Sequence, residues 1–181
     1  MSQLSHVTKE YLSCYYQILD CMTKEMSAVK LTDSISHNFI LQMIPHHEAA
    51  IKMCENLLRY TTDLCLQKMA SNIIIEQKQG IQNMQYLLSE CSMCVNKLED
   101  VCLYEILYTN VTDTMFSDMK KACVTNNINC NFIREMIPHH VGAIGMCENV
   151  LRFPICKELI PIANSIIKTQ CAGVKELNYL L

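Results

Sequence analysis

Apolar residues recur along this chain at spacings of three and four rather than two, over stretches far longer than a typical strand. Between residues 63 and 89, Leu66, Ala70, Ile73, Gln77, Met84 and Leu88 fall near one face at helical spacing, with Gln77 the polar interruption. The first half of the chain resolves in this way into three predicted helices, at about 5–29, 34–59 and 63–89. Local signals support those bounds. Thr32-Asp33-Ser34 is an N-cap cluster for the second helix, and Thr125-Asn126-Asn127 is its counterpart later in the chain. Tyr60-Thr61-Thr62-Asp63 ends the second helix and caps the third, and Phe153-Pro154 is expected to do the same in the second half. With only four Gly and four Pro in 181 residues, the pattern predicts an all-α protein rather than a sandwich of short strands.

The pattern also repeats. Shifted by 93 positions, His37–Tyr60 (HNFILQMIPHHEAAIKMCENLLRY) aligns without a gap on Cys130–Phe153 (CNFIREMIPHHVGAIGMCENVLRF), with sixteen of 24 positions identical. The register extends downstream from Ala70, Ile73, Gln77, Gly80 and Tyr86 to Ala163, Ile166, Gln170, Gly173 and Tyr179. Upstream, Tyr11, Tyr15, Asp20, Met22 and Met26 match Tyr104, Tyr108, Asp113, Met115 and Met119. The repeats span about 1–88 and 94–181, with a short junction at Glu90–Met93. Two copies with so long a period do not make a solenoid. They predict a single domain, 1–181, in which two helical units share one core about a pseudo-twofold axis.

Composition narrows the function. A net charge of −3, with Lys and Arg spread along the chain, argues against a nucleic-acid or membrane-surface partner. The opening Met-Ser-Gln-Leu-Ser-His-Val-Thr-Lys-Glu has no basic segment followed by an apolar run, and no apolar stretch is long enough to span a bilayer. A cytoplasmic location is the resulting expectation. Thiols stay reduced there, so twelve cysteines read first as metal-ligand or redox candidates rather than a disulfide framework. Twelve methionines add to the sulfur enrichment.

The repeated block holds the candidate chemistry. On a helix, Met43 lies one turn before His46 and His47, while Met53 and Cys54 follow seven residues after His46 and His47 respectively. Met136, His139, His140, Met146 and Cys147 repeat the set. Thioether, imidazole and thiolate donors suit copper(I), with zinc the second candidate. Burying adjacent imidazoles without partners is costly, which favours a functional role for them. Met22, Met26, Met115 and Met119 read as core filler. Gln77 and Gln170 either orient a histidine or satisfy a buried backbone group. Pro45 and Pro138 either kink a continuous helix before the histidines or open a new one. Of the cysteines, only Cys54 and Cys147 occupy matched positions. Cys91-Ser-Met-Cys94 forms a CxxC at the junction, readable as an auxiliary soft-metal site, a redox pair or chance. Cys14, Cys21, Cys65, Cys102, Cys123, Cys130, Cys156 and Cys171 are expected to be mostly small buried hydrophobes. A di-iron carboxylate site is excluded, because it needs Glu three residues before His, where Met43 and Ile44 stand instead. A Cys54–His47 nucleophilic pair is excluded by the roughly 10 Å that separates them along one helix.

These residues resemble the CopM-like, copper-binding family catalogued as domain of unknown function 305 (DUF305). The likeness rests on Phe39, Met43-Ile44-Pro45-His46-His47, Ala50-Ile51-Lys52-Met53, Ile74-Ile75-Glu76-Gln77 and Ile81 to Met84. In the second copy it rests on Phe132, Met136 to His140, Ala143 to Met146 and Ile166 to Gln170. The resemblance implies a ferritin-like four-helix bundle built from two hairpins, with the first helix of each repeat packed around it, and copper as cargo. Gly80 and Gly173 stand where the family usually has Glu, Cys54 and Cys147 where it usually has Ala, and Leu177 in place of its last Met. The leading expectation is copper(I) sequestration or storage without catalytic turnover, as a monomer or a homodimer. A zinc- or copper-dependent redox enzyme and a metal-free structural bundle are the alternatives.

Overall fold

In the computed structural model, which describes residues 3–181, six helices follow in order: α1 (His6–Ser27), α2 (Ile35–Leu58), α3 (Leu64–Cys91), α4 (Leu98–Lys121), α5 (Ile128–Val150) and α6 (Leu159–Tyr179). Among the described residues there is no strand. The helix starts are set by short side chains that accept from backbone N–H groups the first turn leaves unpaired. Ser34 accepts from His37, Asp63 from Cys65 and Leu66, and Asn127 from Cys130. Asn38 clasps both backbone groups of Thr32, and Asn131 does the same to Thr125, so the approach to the central helix is fixed identically in both repeats.

Two features depart from simple symmetry or settle an open reading. The first-repeat register predicts the last helix to start at 157, yet α6 begins at Leu159 without a side-chain cap. Phe153 lies in the turn that ends α5, its N–H bonded to the Val150 carbonyl, but neither it nor Pro154 caps α6, and Cys156 stands where the first repeat has its capping Asp63. The prolines, by contrast, open no new helix: α2 and α5 run unbroken through Pro45 and Pro138.

Helices α2 and α5 pack against each other at the centre. Helix α3 lies on α2, α6 lies on α5, and α3 meets α6 along a seam. These four make the bundle, while α1 and α4 pack outside it on α2 and α5. Their inner faces supply Tyr11, Tyr15 and Tyr104, together with Met22, Met26, Met115 and Met119, all buried as core residues. Met115 needs Gly142 opposite it, since a Cβ there would overlap its sulfur.

Each outer helix also reaches the opposite repeat's central helix. The Tyr11 hydroxyl donates to Glu135 on α5 at 2.5 Å, and the Tyr104 hydroxyl donates to Gln42 on α2 at 2.6 Å. The side-chain amides of Asn56 and Asn149 hold the backbone carbonyls of these tyrosines from within each repeat, both at 3.1 Å. The unmatched cysteines correct the expectation made for them. Of the eight, only Cys156 is buried; Cys65, Cys102 and Cys123 are exposed and the rest are half-buried, because they sit on the polar faces and ends of their helices.

Candidate metal centre

The four motif histidines gather where α2 meets α5, with the first histidine of each pair on the pseudo-axis. The His46 and His139 rings stack with centroids 3.7 Å apart and planes 28° apart. Each Nε2 pairs with the backbone carbonyl of the other residue, at 3.2 Å from His46 to His139 and 3.1 Å in return. A carbonyl oxygen only accepts, so each Nε2 carries the proton and each Nδ1 keeps its lone pair. Those two Nδ1 atoms are buried and have no hydrogen-bond partner. The carbonyls used are those of the histidines themselves, not those of Leu41 and Arg134 that the prolines leave without a helical donor.

The second histidines lie to either side, with ring centroids 6.1 Å (His46–His47) and 6.0 Å (His139–His140) from their neighbours. They press against the third helix of their own repeat. A Cβ on Gly80 would lie 2.9 Å from Cδ2 and Nε2 of His47, and one on Gly173 would lie 2.7 and 2.8 Å from the same atoms of His140. A glycine is therefore what lets each imidazole seat against the helix backbone. The Nδ1 atoms of His47 and His140 are also buried without a well-formed hydrogen bond, although the Met43 carbonyl lies close enough to His47 to oppose part of the fall in its pKa.

Burial dominates the electrostatics. Desolvation, with repulsion from the neighbouring imidazoles, pushes His47 and His140 down to about 3. Desolvation takes His139 to about 4 against the opposing hydrogen bond to the His46 carbonyl, and His46 lies well below its ordinary value. All four rings are neutral at physiological pH, the state in which imidazole binds a metal.

Two clefts related by the pseudo-axis open along the seam of α3 and α6. One, of about 490 Å³, reaches His47 and Gly80. The other, of about 320 Å³, reaches His140 and Gly173. Gln77 and Gln170 line both, and the Oε1 atom of each is buried without a partner. The glutamines thus stand beside the second histidines with acceptors unused.

The sulfur candidates divide into two groups. Met43 and Met136, one turn before the histidines, are fully buried with them. Met53, Cys54, Met146 and Cys147 are equally buried but lie seven residues on from a histidine, roughly 10 Å along the helix at about 1.5 Å per residue. Cys54 sits near Tyr11, and Cys147 near Tyr104. Burial pushes both thiols up, so they are protonated at neutral pH. Among the described residues, the His, Cys and carboxylate donors that converge within 4.8 Å in a group of three are Glu90, Cys156 and Glu158, not the motif residues.

Sequence reasoning missed the carbonyl partners of His46 and His139, and it missed the tyrosine clasps. The clasps left a trace in the aligned block, where Gln42 faces Glu135 as one of its few polar mismatches. The carbonyl pairing left none.

The sequence profile described as "Domain of unknown function (DUF305)" matches residues 18–92 and 107–181. No curated protein sequence matches. Among solved structures, the chain is similar to "CopM in the Ag-bound form (by soaking)", at 27% identity and a TM-score of 0.60, covering 84% of this chain and 96% of that one. It is similar to "CopM in the Cu(II)-bound form" at 27% identity and a TM-score of 0.59, covering 80% and 95% respectively.

Proposed function

The chain belongs to the DUF305 family through both of its repeats, and from that premise we propose that it binds copper(I) at the duplicated histidine pairs, for storage or sequestration without turnover. The observation that carries this reading is the pairing of His46 with His139. A metal-ligating histidine commonly donates its non-ligating N–H to a backbone carbonyl, which fixes the tautomer and presents the other nitrogen. Here each Nε2 makes that contact and each Nδ1 is buried, neutral and unpartnered. A packing role alone leaves four buried imidazole nitrogens unsatisfied, each costing on the order of 1–3 kcal/mol.

The donor set favours a soft ion. Met43 and Met136 offer thioethers within a turn of the histidines, and no carboxylate of the motif points to a hard cation. The similar CopM structures are described with silver and with copper(II). Twelve free cysteines suit a reducing, cytoplasmic setting in which the monovalent state of copper persists. Gln77 and Gln170 are proposed to steady His47 and His140 from the cleft walls.

Anaerobic titration with copper(I) against a competing chelator tests the reading. Replacement of His46, His47, His139 and His140 by Ala is expected to weaken binding at least a hundredfold, with H47Q/H140Q as the milder variant should the quadruple one not fold. Full affinity in both variants overturns the assignment. Zinc bound in preference to copper favours an enzyme-type site, and binding of neither leaves a structural bundle.

A further inference from the structure

A second group of donors gathers where the two repeats meet, away from the motif histidines. Cys91 is the last residue of α3, Glu90 precedes it, and Cys156 and Glu158 come from the turn leading into α6. The Cys156 thiol lies 3.1 Å from Oε2 of Glu158, and ligand atoms of Glu90, Cys156 and Glu158 all fall within 4.8 Å of one another. Both Cys91 and Cys156 are buried, and Cys91, next to Glu90 in the chain, is not itself among the three converging donors. The carboxylates are exposed, so the group opens to solvent on one side.

The backbone around these donors is pinned from the start of α2. The fully buried Ser34 donates its hydroxyl to the Cys91 carbonyl at 2.6 Å, and the fully buried Ser36 accepts from the Cys156 N–H at 2.9 Å. Asn96, in the junction, donates to the Pro154 carbonyl at 2.6 Å and accepts from the Ile35 N–H at 3.0 Å. One pair of serines thus sets the spacing of two thiols that are far apart in sequence. The second repeat has also given up something at this point: its Cys156 replaces the aspartate that caps α3 in the first repeat, and α6 starts without a side-chain cap.

We propose that Cys156, Glu158 and Glu90, joined by the neighbouring Cys91 as fourth donor when the ion binds, form a metal site of the zinc(II) class, which ties the end of α3 to the start of α6. Two thiolates and two carboxylates are a tetrahedral set for a borderline divalent ion, with bonds of about 2.3 Å to sulfur and 2.0–2.2 Å to oxygen. Carboxylates are poor partners for copper(I), so this site and the histidine cluster select different ions. Each thiol releases its proton to solvent as its sulfur–zinc bond forms, so binding tightens with rising pH. The role is structural: the ion closes a contact between repeats that hydrogen bonds from Ser34, Ser36 and Asn96 already preorganise.

The inference is independent of copper binding and is tested with cobalt(II) and zinc(II) on the reduced full-length protein. Cobalt(II) is expected to bind at one equivalent with thiolate-to-metal charge-transfer absorption, which one equivalent of zinc(II) abolishes. C156S should lose that absorption and bind zinc at least a hundredfold more weakly, and E158Q at least tenfold more weakly, with helical circular dichroism unchanged. Should C156S not fold, C91S and E158Q read the same site. A cobalt spectrum without thiolate absorption, or one unaltered by these substitutions, overturns the proposal.

Discussion

Each motif histidine is held by one contact that a local reading of the chain does not reveal. His46 and His139 are oriented by each other's carbonyl, and His47 and His140 by the missing side chains of Gly80 and Gly173. The glycines make a direct test. In a helix interior Gly is about 1 kcal/mol worse than Ala, so if it only weakened the helix, G80A would stabilise the protein. A Cβ 2.9 Å from the His47 ring must instead push that imidazole off its seat against α3. G80A and G173A are therefore expected to leave helical content intact and lower copper(I) affinity about tenfold, or roughly 1.4 kcal/mol, by chelator competition. Unchanged affinity would show that the seat of the second histidine does not matter for binding.

The helices themselves are where pattern and structure agree best, and where their difference is most instructive. Positions 34–59 and 63–89 were readable because amphipathic spacing and N-caps such as Ser34 and Asp63 act within a few residues. The delayed start of α6 was not, because Cys156 looks like one cysteine among twelve until the fold sets it beside Glu158. The side-chain contacts that attach α1 and α4 were also illegible, since Tyr11 and Tyr104 act on residues of the opposite repeat. That attachment is asymmetric in charge. Burial raises the Glu135 carboxyl from 4.5 to about 7, despite the hydrogen bond from Tyr11 that opposes the rise. A raised acid favours the fold in its protonated form. Its contribution is thus fully present below about pH 4.5 and is lost as pH rises through 7. E135Q, which copies Gln42, is expected to raise stability at pH 8 by up to about 3 kcal/mol and to change it little near pH 4.5. Urea denaturation at the two pH values checks this; an equal effect at both would mean that the carboxyl is not the titrating group.

At the scale of the whole molecule, the duplication poses the question of one metal site or two. The first histidines share the pseudo-axis, which by itself favours a single centre. The second histidines argue otherwise. His47 and His140 line different, adjoining clefts and pack against different helices, each beside its own glycine. An ion entering by one cleft meets one second histidine, and Met43 or Met136 accompanies each pair on its own helix. The motif donors also do not converge into a single ready-made cluster. The proposed copper(I) reading therefore predicts two ions per chain, one at each histidine pair. Because His46 and His139 each hold the other's ring, the same reading predicts that filling one half-site acts on the other, so that the two affinities differ. Copper(I) titration of C156S, which removes the separate thiol–carboxylate group, should then show two high-affinity equivalents at the histidine pairs. Adding H47Q should reduce these to one and leave the other half-site within about tenfold of its original affinity. Loss of both equivalents on adding H47Q would mean one centre shared across the axis, and would move His47 and His140 into a common coordination sphere.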